Sequence, residues 1–231
     1  MKKRWLALVL AAVLLTGCGA RGETRQVVDY SLFDTVTTVM AAEDRQDFPR
    51  EAQTLLDQVG EYHRLFDIYH EYEGLVNLKT VNEKAAQGPV EIDPRLMEFL
   101  LDCKEYYELT EGRVNPAMGA VLKLWHQARE DSLRDPDHSY LPEPDALTAA
   151  GDHCSMEDVI LDPQAGTVYF ANPDLSLDPG ALGKGWAAER VCQAAPEGYL
   201  LSVGGNVLCT GPKGEDLPWT VGIQDPDVPG A

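Results

Sequence analysis

The chain has 231 residues with 19 basic and 38 acidic side chains, a formal charge of −19. That balance argues against nucleic acid and against direct adsorption to anionic lipid, since both would be repelled. The length is enough to bury a substantial core. Met1 to Arg4 is basic, and Trp5 to Leu15 is an uninterrupted apolar run. This is the pattern of an export signal, too short for a comfortable membrane span.

The run ends in Leu15-Thr16-Gly17-Cys18, which resembles the bacterial lipobox, where the signal is removed and the cysteine takes a lipid. The expected organisation is a lipoprotein signal over 1–17, a tether over 18–25 and a single domain over 26–231. The domain is expected outside the cytoplasm, held at a bacterial membrane through Cys18. Loss of the signal takes the basic count from 19 to 16 and the charge to −22. The other cysteines, Cys103, Cys154, Cys192 and Cys209, form no Cys-x-x-Cys and have no histidine at metal spacing, which argues against a zinc site and reads mostly as core.

Gln26 to Ala42 reads as an opening strand or hairpin, with Val27, Tyr30, Leu32, Val36 and Val39. Pro49 to Phe66 keeps apolar residues at helical spacing. Asp93-Pro94 is an N-cap with proline at the first helical position, followed by the apolar face Leu96, Phe99, Leu100, Cys103 and Tyr107, and ended by Gly112. Asn115-Pro116 repeats that start and leads into Met118, Val121, Leu122 and Trp125. Arg129 to Asp145, charged and proline-rich, reads as a loop. Val159–Leu161 with Thr167–Phe170, and Leu200–Val203 with Val207–Cys209, read as hairpins, and Trp219 to Ile223 as the start of another strand. Helices first and strands later favour an α+β fold.

Ser176 to Arg190 reads as a strand end, a glycine-rich turn and the first turns of a helix. Gly180, Gly183 and Gly185 frame Lys184, with Asp178 just before. A helix N-terminus after such a turn suits a phosphate-bearing ligand, and an ordinary strand-to-helix connection suits the segment equally. The spacing is neither that of a Walker A loop nor that of a dinucleotide fold.

Four segments in order carry a family resemblance. They are Phe33-Asp-Thr-Val-Thr-Thr, Thr110-Glu-Gly-Arg-Val-Asn-Pro-Ala-Met-Gly119 with Leu124-Trp125, Leu177-Asp-Pro-Gly-Ala-Leu-Gly-Lys-Gly185, and Ser202-Val-Gly-Gly-Asn206. With the lipobox, this set resembles the FAD:protein FMN transferase family, also called ApbE. The resemblance implies helices packed on antiparallel sheet in a T-fold-like architecture. It also implies magnesium-dependent transfer of FMN from FAD to a threonine hydroxyl of an exported protein, with release of AMP. FAD is then the substrate and Mg2+ the metal. The implied partners are flavin-carrying subunits of ion-pumping redox complexes.

By the same resemblance, Phe33 falls at a flavin-contacting position, commonly methionine in a Met-Gly-Thr motif, and Tyr69 at an aromatic position that stacks on the cofactor. Arg113, Val114 and Asn115 match an Ala-Phe-Asp stretch lining the FAD site, with Asn115 in place of the commoner aspartate. Asp178 and Lys184 match FAD-contacting positions, and Ala181 a magnesium position that offers a backbone carbonyl. None of the five histidines is given a catalytic role. The family's Thr-Ser-Gly and His-x-x-Asp-Pro segments, which hold further metal ligands and a histidine linked to activity, would fall after Ala231. The catalytic residues are therefore expected beyond the sequence, which reads as a truncated form of a longer enzyme. Two alternatives stand beside transfer: FAD pyrophosphate hydrolysis, and flavin binding without catalysis.

Overall fold

The computed structural model describes residues 23–214, 217–223 and 225–227; the expected signal and Cys18 lie outside them. The opening hairpin is β1 (Thr24–Asp29) and β2 (Thr37–Ala42), paired antiparallel from Thr24↔Ala42 to Asp29↔Thr37. β1 thus begins inside the segment expected as tether. There follow α1 (Phe48–Phe66), α2 (Leu78–Lys84), β3 (Val90–Glu91) and α3 (Pro94–Leu109). Next come α4 (Gly119–Arg134), α5 (Pro144–Gly151), β4 (Val159–Asp162) and β5 (Thr167–Phe170). The last elements are α6 (Gly183–Ala194), β6 (Leu200–Val203) and β7 (Asn206–Cys209).

Two antiparallel sheets result, one ordered β1-β2-β6-β7 and one ordered β3-β5-β4. This is the mixed helix and antiparallel sheet class expected. In the larger sheet, Thr37, Val39 and Ala41 point inward by the two-residue period of a strand. They meet Val203, Leu201 and Tyr199 across the neighbouring strand. Gly204 and Gly205, with φ of +57° and +88°, make the two-residue turn between β6 and β7 that a tight hairpin requires.

α1 belongs to both cores. Phe48, Ala52, Leu55, Leu56 and Val59 lie on the larger sheet, whereas Leu65 and Phe66 enter the second core with Leu78, Leu96, Phe99 and Phe170. α6 divides in the same way, with Ala188 and Val191 against the sheet and Trp186 and Ala187 in the second core. Trp186 Nε1 donates to Asp102 at 2.7 Å, which joins α6 to α3.

Asp93 caps α3 as expected, its carboxylate accepting from the Arg95 N–H at 2.8 Å. The similar start at Asn115-Pro116 does not hold, because α4 begins at Gly119. Asn115 accepts instead from the Ala117 N–H and donates to the Cys154 carbonyl. Residues 116–119 run beside 176–178: Asp178 N–H donates to Pro116 O at 2.8 Å and Gly119 N–H to Ser176 O at 3.0 Å. That pairing competes with helix and delays its start.

The segment 129–145 is not a loop either. α4 continues to Arg134, a 3-10 turn covers Pro136–His138 and α5 starts at Pro144. Trp219 to Ile223 forms no strand, since no neighbour among the described residues pairs with it. The opening hairpin expected over Gln26 to Ala42 is present, and its second strand, β2, pairs with the late strand β6. Of the four cysteines only Cys103 is buried, and all four are free.

The close approach at residue 119 is testable. A Cβ there would lie 2.5 Å from the Ser176 carbonyl oxygen, so backbone would have to move. Gly119→Ala is expected to lower unfolding free energy by about 2–3 kcal/mol in denaturant titration.

Candidate functional site

Four stretches distant in sequence meet around a cleft of about 750 Å³, a size suited to a small-molecule ligand. They are the turn after β1, the end of α1 with the chain that follows it, one face of α4, and the turn leading into α6. Phe66 lies under the cleft, its ring centroid 4.2 Å from Phe99, 5.8 Å from Trp186 and 6.4 Å from Phe33. Only the Trp186 contact is edge-to-face, at 62°; the Phe99 and Phe33 rings are tilted at 30° and 56°, and together they make the floor apolar.

Asp67 organises the rim beside it. Its buried carboxylate accepts from the Tyr69 N–H at 2.6 Å, the His70 N–H at 3.0 Å and the Tyr72 hydroxyl at 2.7 Å. His70 Nδ1 stands 2.9 Å away. Burial pushes this carboxyl up, but the two N–H donors, the Tyr72 hydroxyl and His70 outweigh burial and hold it below the usual range. The same geometry, burial first and the bond to Asp67 second, pushes the Tyr72 phenol up to about 12. Asn77, fully buried, fixes the far side by donating to the carbonyls of Arg64 and His70.

Tyr69, half-exposed, presents its ring to the cleft and shares a 2.8 Å hydrogen bond between its hydroxyl and His126 Nδ1. Burial, then the carboxylates of Asp178 and Asp34, raise its phenol. Tyr69 therefore stays neutral and able to donate. Arg129, one turn beyond His126, and Lys184 also line the cleft, and among the described residues neither is in an ion pair.

The turn at 178–183 is built for internal fit. Asp178 is buried and accepts from the Gly180 N–H at 2.8 Å. A Cβ at Gly180 would lie 2.9 Å from that carboxylate oxygen, and one at Gly183 would lie 3.3 Å from both Phe66 and Pro179. Gly180 and Gly183 still face the cleft, but Gly185 faces Asn206 instead. Opposite them, Phe33 and Asp34 adopt φ of +53° and +50°, a left-handed conformation that costs non-glycine residues on the order of 1 kcal/mol or more each.

The structure thus brings together Phe33, Tyr69, Asp178 and Lys184. It places the other expected residues elsewhere. Arg113 is exposed after α3, 3.8 Å from Glu111. Val114 N–H donates to Thr110 Oγ1, and Asn115 is engaged in its own turn. Ala181 is exposed, next to Gly180. Sequence reasoning missed Asp34, His63, Asp67, His70, Tyr72, His126 and Arg129. Asp67 and Tyr72 carried a signal, since polar and aromatic residues cluster where the helical period of α1 stops. His126 and Arg129 share a helix face at i, i+3, which breaking the helix at Arg129 concealed.

Magnesium wants several hard oxygen ligands in octahedral array. Among the described residues no three His, Cys, Asp or Glu side chains stand together as a metal-binding group. Ala181 adds only one carbonyl. These residues do not make a magnesium site.

Residues 33–231 match the ApbE family. The chain belongs to the ApbE family. It is 29% identical to the FAD:protein FMN transferase of Treponema pallidum, over 96% of this chain and 65% of that one. A Klebsiella pneumoniae FAD:protein FMN transferase is 27% identical over 71% of this chain and 51% of its own length. The chain thus spans about two thirds or less of these curated relatives. Among solved structures, the ApbE protein of Thermotoga maritima superposes with a TM-score of 0.75 at 22% identity, covering 88% of this chain and 64% of that one. The flavin transferase ApbE of Vibrio cholerae gives 0.71 at 17% identity over 88% and 65%. At such identities the superpositions establish the ApbE fold.

Asp67 provides a pH test. Its folded-state carboxyl is depressed, so its contribution is full above the ordinary aspartate range and is lost as pH falls through the folded value. Asp67→Asn is expected to cost about 2–3 kcal/mol at neutral pH and to flatten the loss of stability below about pH 4. Denaturant titrations at several pH values measure both effects.

Proposed function

We propose that this ApbE-family protein transfers FMN from FAD to a threonine hydroxyl of an exported acceptor protein and releases AMP, in a magnesium-dependent reaction. The observation that best supports this reading is the composition of the cleft: an aromatic floor and the Tyr69 ring beside two cations, Arg129 and Lys184, that form no ion pair among the described residues. A flavin ring wants flat apolar contact, and a pyrophosphate wants positive charge and N–H donors. The names carried by the curated relatives agree with it.

In this reading the threonine oxygen attacks the phosphorus of the FMN half. The bond from that phosphorus to the bridging oxygen breaks, AMP leaves with the bridging oxygen, and the threonine proton passes to solvent. Arg129 and Lys184 stabilise charge on the diphosphate, and the Phe66 floor with Tyr69 orients the flavin. Magnesium enters through the family resemblance alone, and no step is drawn through it. Cys18 would carry the lipid that holds the protein at a bacterial membrane, outside the cytoplasm. Among the described residues no helix is long and apolar enough to cross one. Subunits of ion-pumping redox complexes are the proposed acceptors.

The test incubates protein expressed from the complete gene with FAD, magnesium and a threonine-containing acceptor. In-gel flavin fluorescence reads transfer and chromatography reads AMP. Covalent FMN on the acceptor with matching AMP is expected. AMP without an acceptor would make the protein a hydrolase, and FAD binding without AMP would make it a flavin-binding protein. Asp178→Ala should weaken FAD binding about tenfold, roughly 1.4 kcal/mol, by freeing the turn at Gly180. Tyr69→Ala should weaken it by a similar factor, about 1 kcal/mol of ring contact. Flavin-fluorescence titration checks both.

A further inference from the structure

His63 has no role in the resemblance, yet it stands between the core and the cleft. It lies in the last turns of α1 and lines the cleft opposite Asp178. Its Nδ1 accepts the Phe33 backbone N–H at 3.1 Å, across thirty positions of sequence. Its ring meets the Phe33 ring edge-on, with centroids 5.4 Å apart and planes at 72°. Phe33 and Asp34 are the two consecutive non-glycine residues held at positive φ.

A left-handed pair of this kind persists only where its surroundings fix it. On one side the fixing comes from the β6–β7 hairpin. Gly204 N–H donates to Val36 O at 3.0 Å, and Thr35 packs so closely on Gly204 that a Cβ there would lie 2.8 Å from its side chain. The Thr35 N–H closes the turn onto Leu32 O at 3.2 Å. On the cleft side His63 supplies the long-range side-chain hydrogen bond to the turn. That bond engages the Phe33 N–H, and the His63 ring shares with Phe66 the aromatic contacts on the Phe33 ring, so His63 bears on how Phe33 faces the cleft.

We propose that His63 is a positioning residue. It acts as a neutral hydrogen-bond acceptor that clamps the strained Phe33–Asp34 turn in its flavin-binding form. The proposal rests on the flavin reading of the cleft, and it makes no claim that His63 touches the reacting atoms. It requires the acceptor atom at Nδ1 and not merely an apolar filler. Asparagine, whose Oδ1 sits near the place of Nδ1, should therefore substitute, and leucine should not. It also requires that the clamp oppose strain, so replacing Asp34 by glycine should relax the need for it.

The test uses the full chain as wild type, His63→Asn, His63→Leu and His63→Leu with Asp34→Gly. FAD affinity is read by flavin fluorescence, and hydrogen exchange of the Phe33 amide is read without ligand. His63→Leu is expected to weaken FAD about tenfold and to lose Phe33 protection, as removal of a hydrogen bond holding a strained turn should. His63→Asn should stay within about threefold of wild type, and the double variant should recover most of the affinity. Unchanged Phe33 protection in folded His63→Leu, or equal loss in the asparagine and leucine variants, would overturn the clamp. A wild-type protein that protects Phe33 but does not bind FAD would instead overturn the flavin reading, so the two failures are separable.

Discussion

Phe66 occupies the last turn of α1, where the helix leaves the core of the larger sheet and enters the second one. Its ring packs on Phe99 and Trp186 below and on Phe33 to the side, and it would crowd a Cβ at residue 183, 3.3 Å away. These contacts fix three things together: the angle at which α1 ends, the closeness of α6, and the level of the cleft floor. Asp67 follows immediately and turns the chain outward through Tyr69, His70 and Tyr72. The apolar constraint sets where the cleft is, and the polar one beside it sets which groups face it.

The electrostatics of the cleft run against those of the whole molecule. The chain carries a charge of −19, yet the cleft holds two cations and three histidines among its carboxylates. Asp67 and Asp178 are not free charges there, because each is engaged with backbone N–H groups that leave less of it to repel an anion. The net acidity thus lies largely outside the cleft.

Much of this was legible in the sequence, and the failures have physical causes. The α1 period, the Asp93 cap and the two later hairpins depend on local signals and appear where those signals place them. Asn115-Pro116 carries the same local signal as Asp93-Pro94, but pairing with 176–178 draws the backbone away from helix until Gly119. Proline and charge in 129–145 suggested a loop, although the prolines fall between helices or at a first turn, where they do no harm. Phe33, Tyr69, Asp178 and Lys184 were singled out by resemblance, and the fold gathers them around one cleft. His63 and His126 were not singled out, because they reach Phe33 and Tyr69 only through contacts thirty and fifty-seven positions apart, and Arg129 was hidden by ending the helix before it.

α1 and α6 each contribute side chains to both cores, so neither core can be dismantled while the other keeps its helices intact. The larger sheet, with no strand lining the cleft, is nevertheless tied to it through Thr35 on Gly204 and through these two shared helices. Such an arrangement couples the unfolding of the two cores. A ligand held between Phe33 and Lys184 is then thermodynamically linked to every strand of the molecule, and occupancy of the cleft raises the stability of the distant hairpins by mass action as much as its own rim.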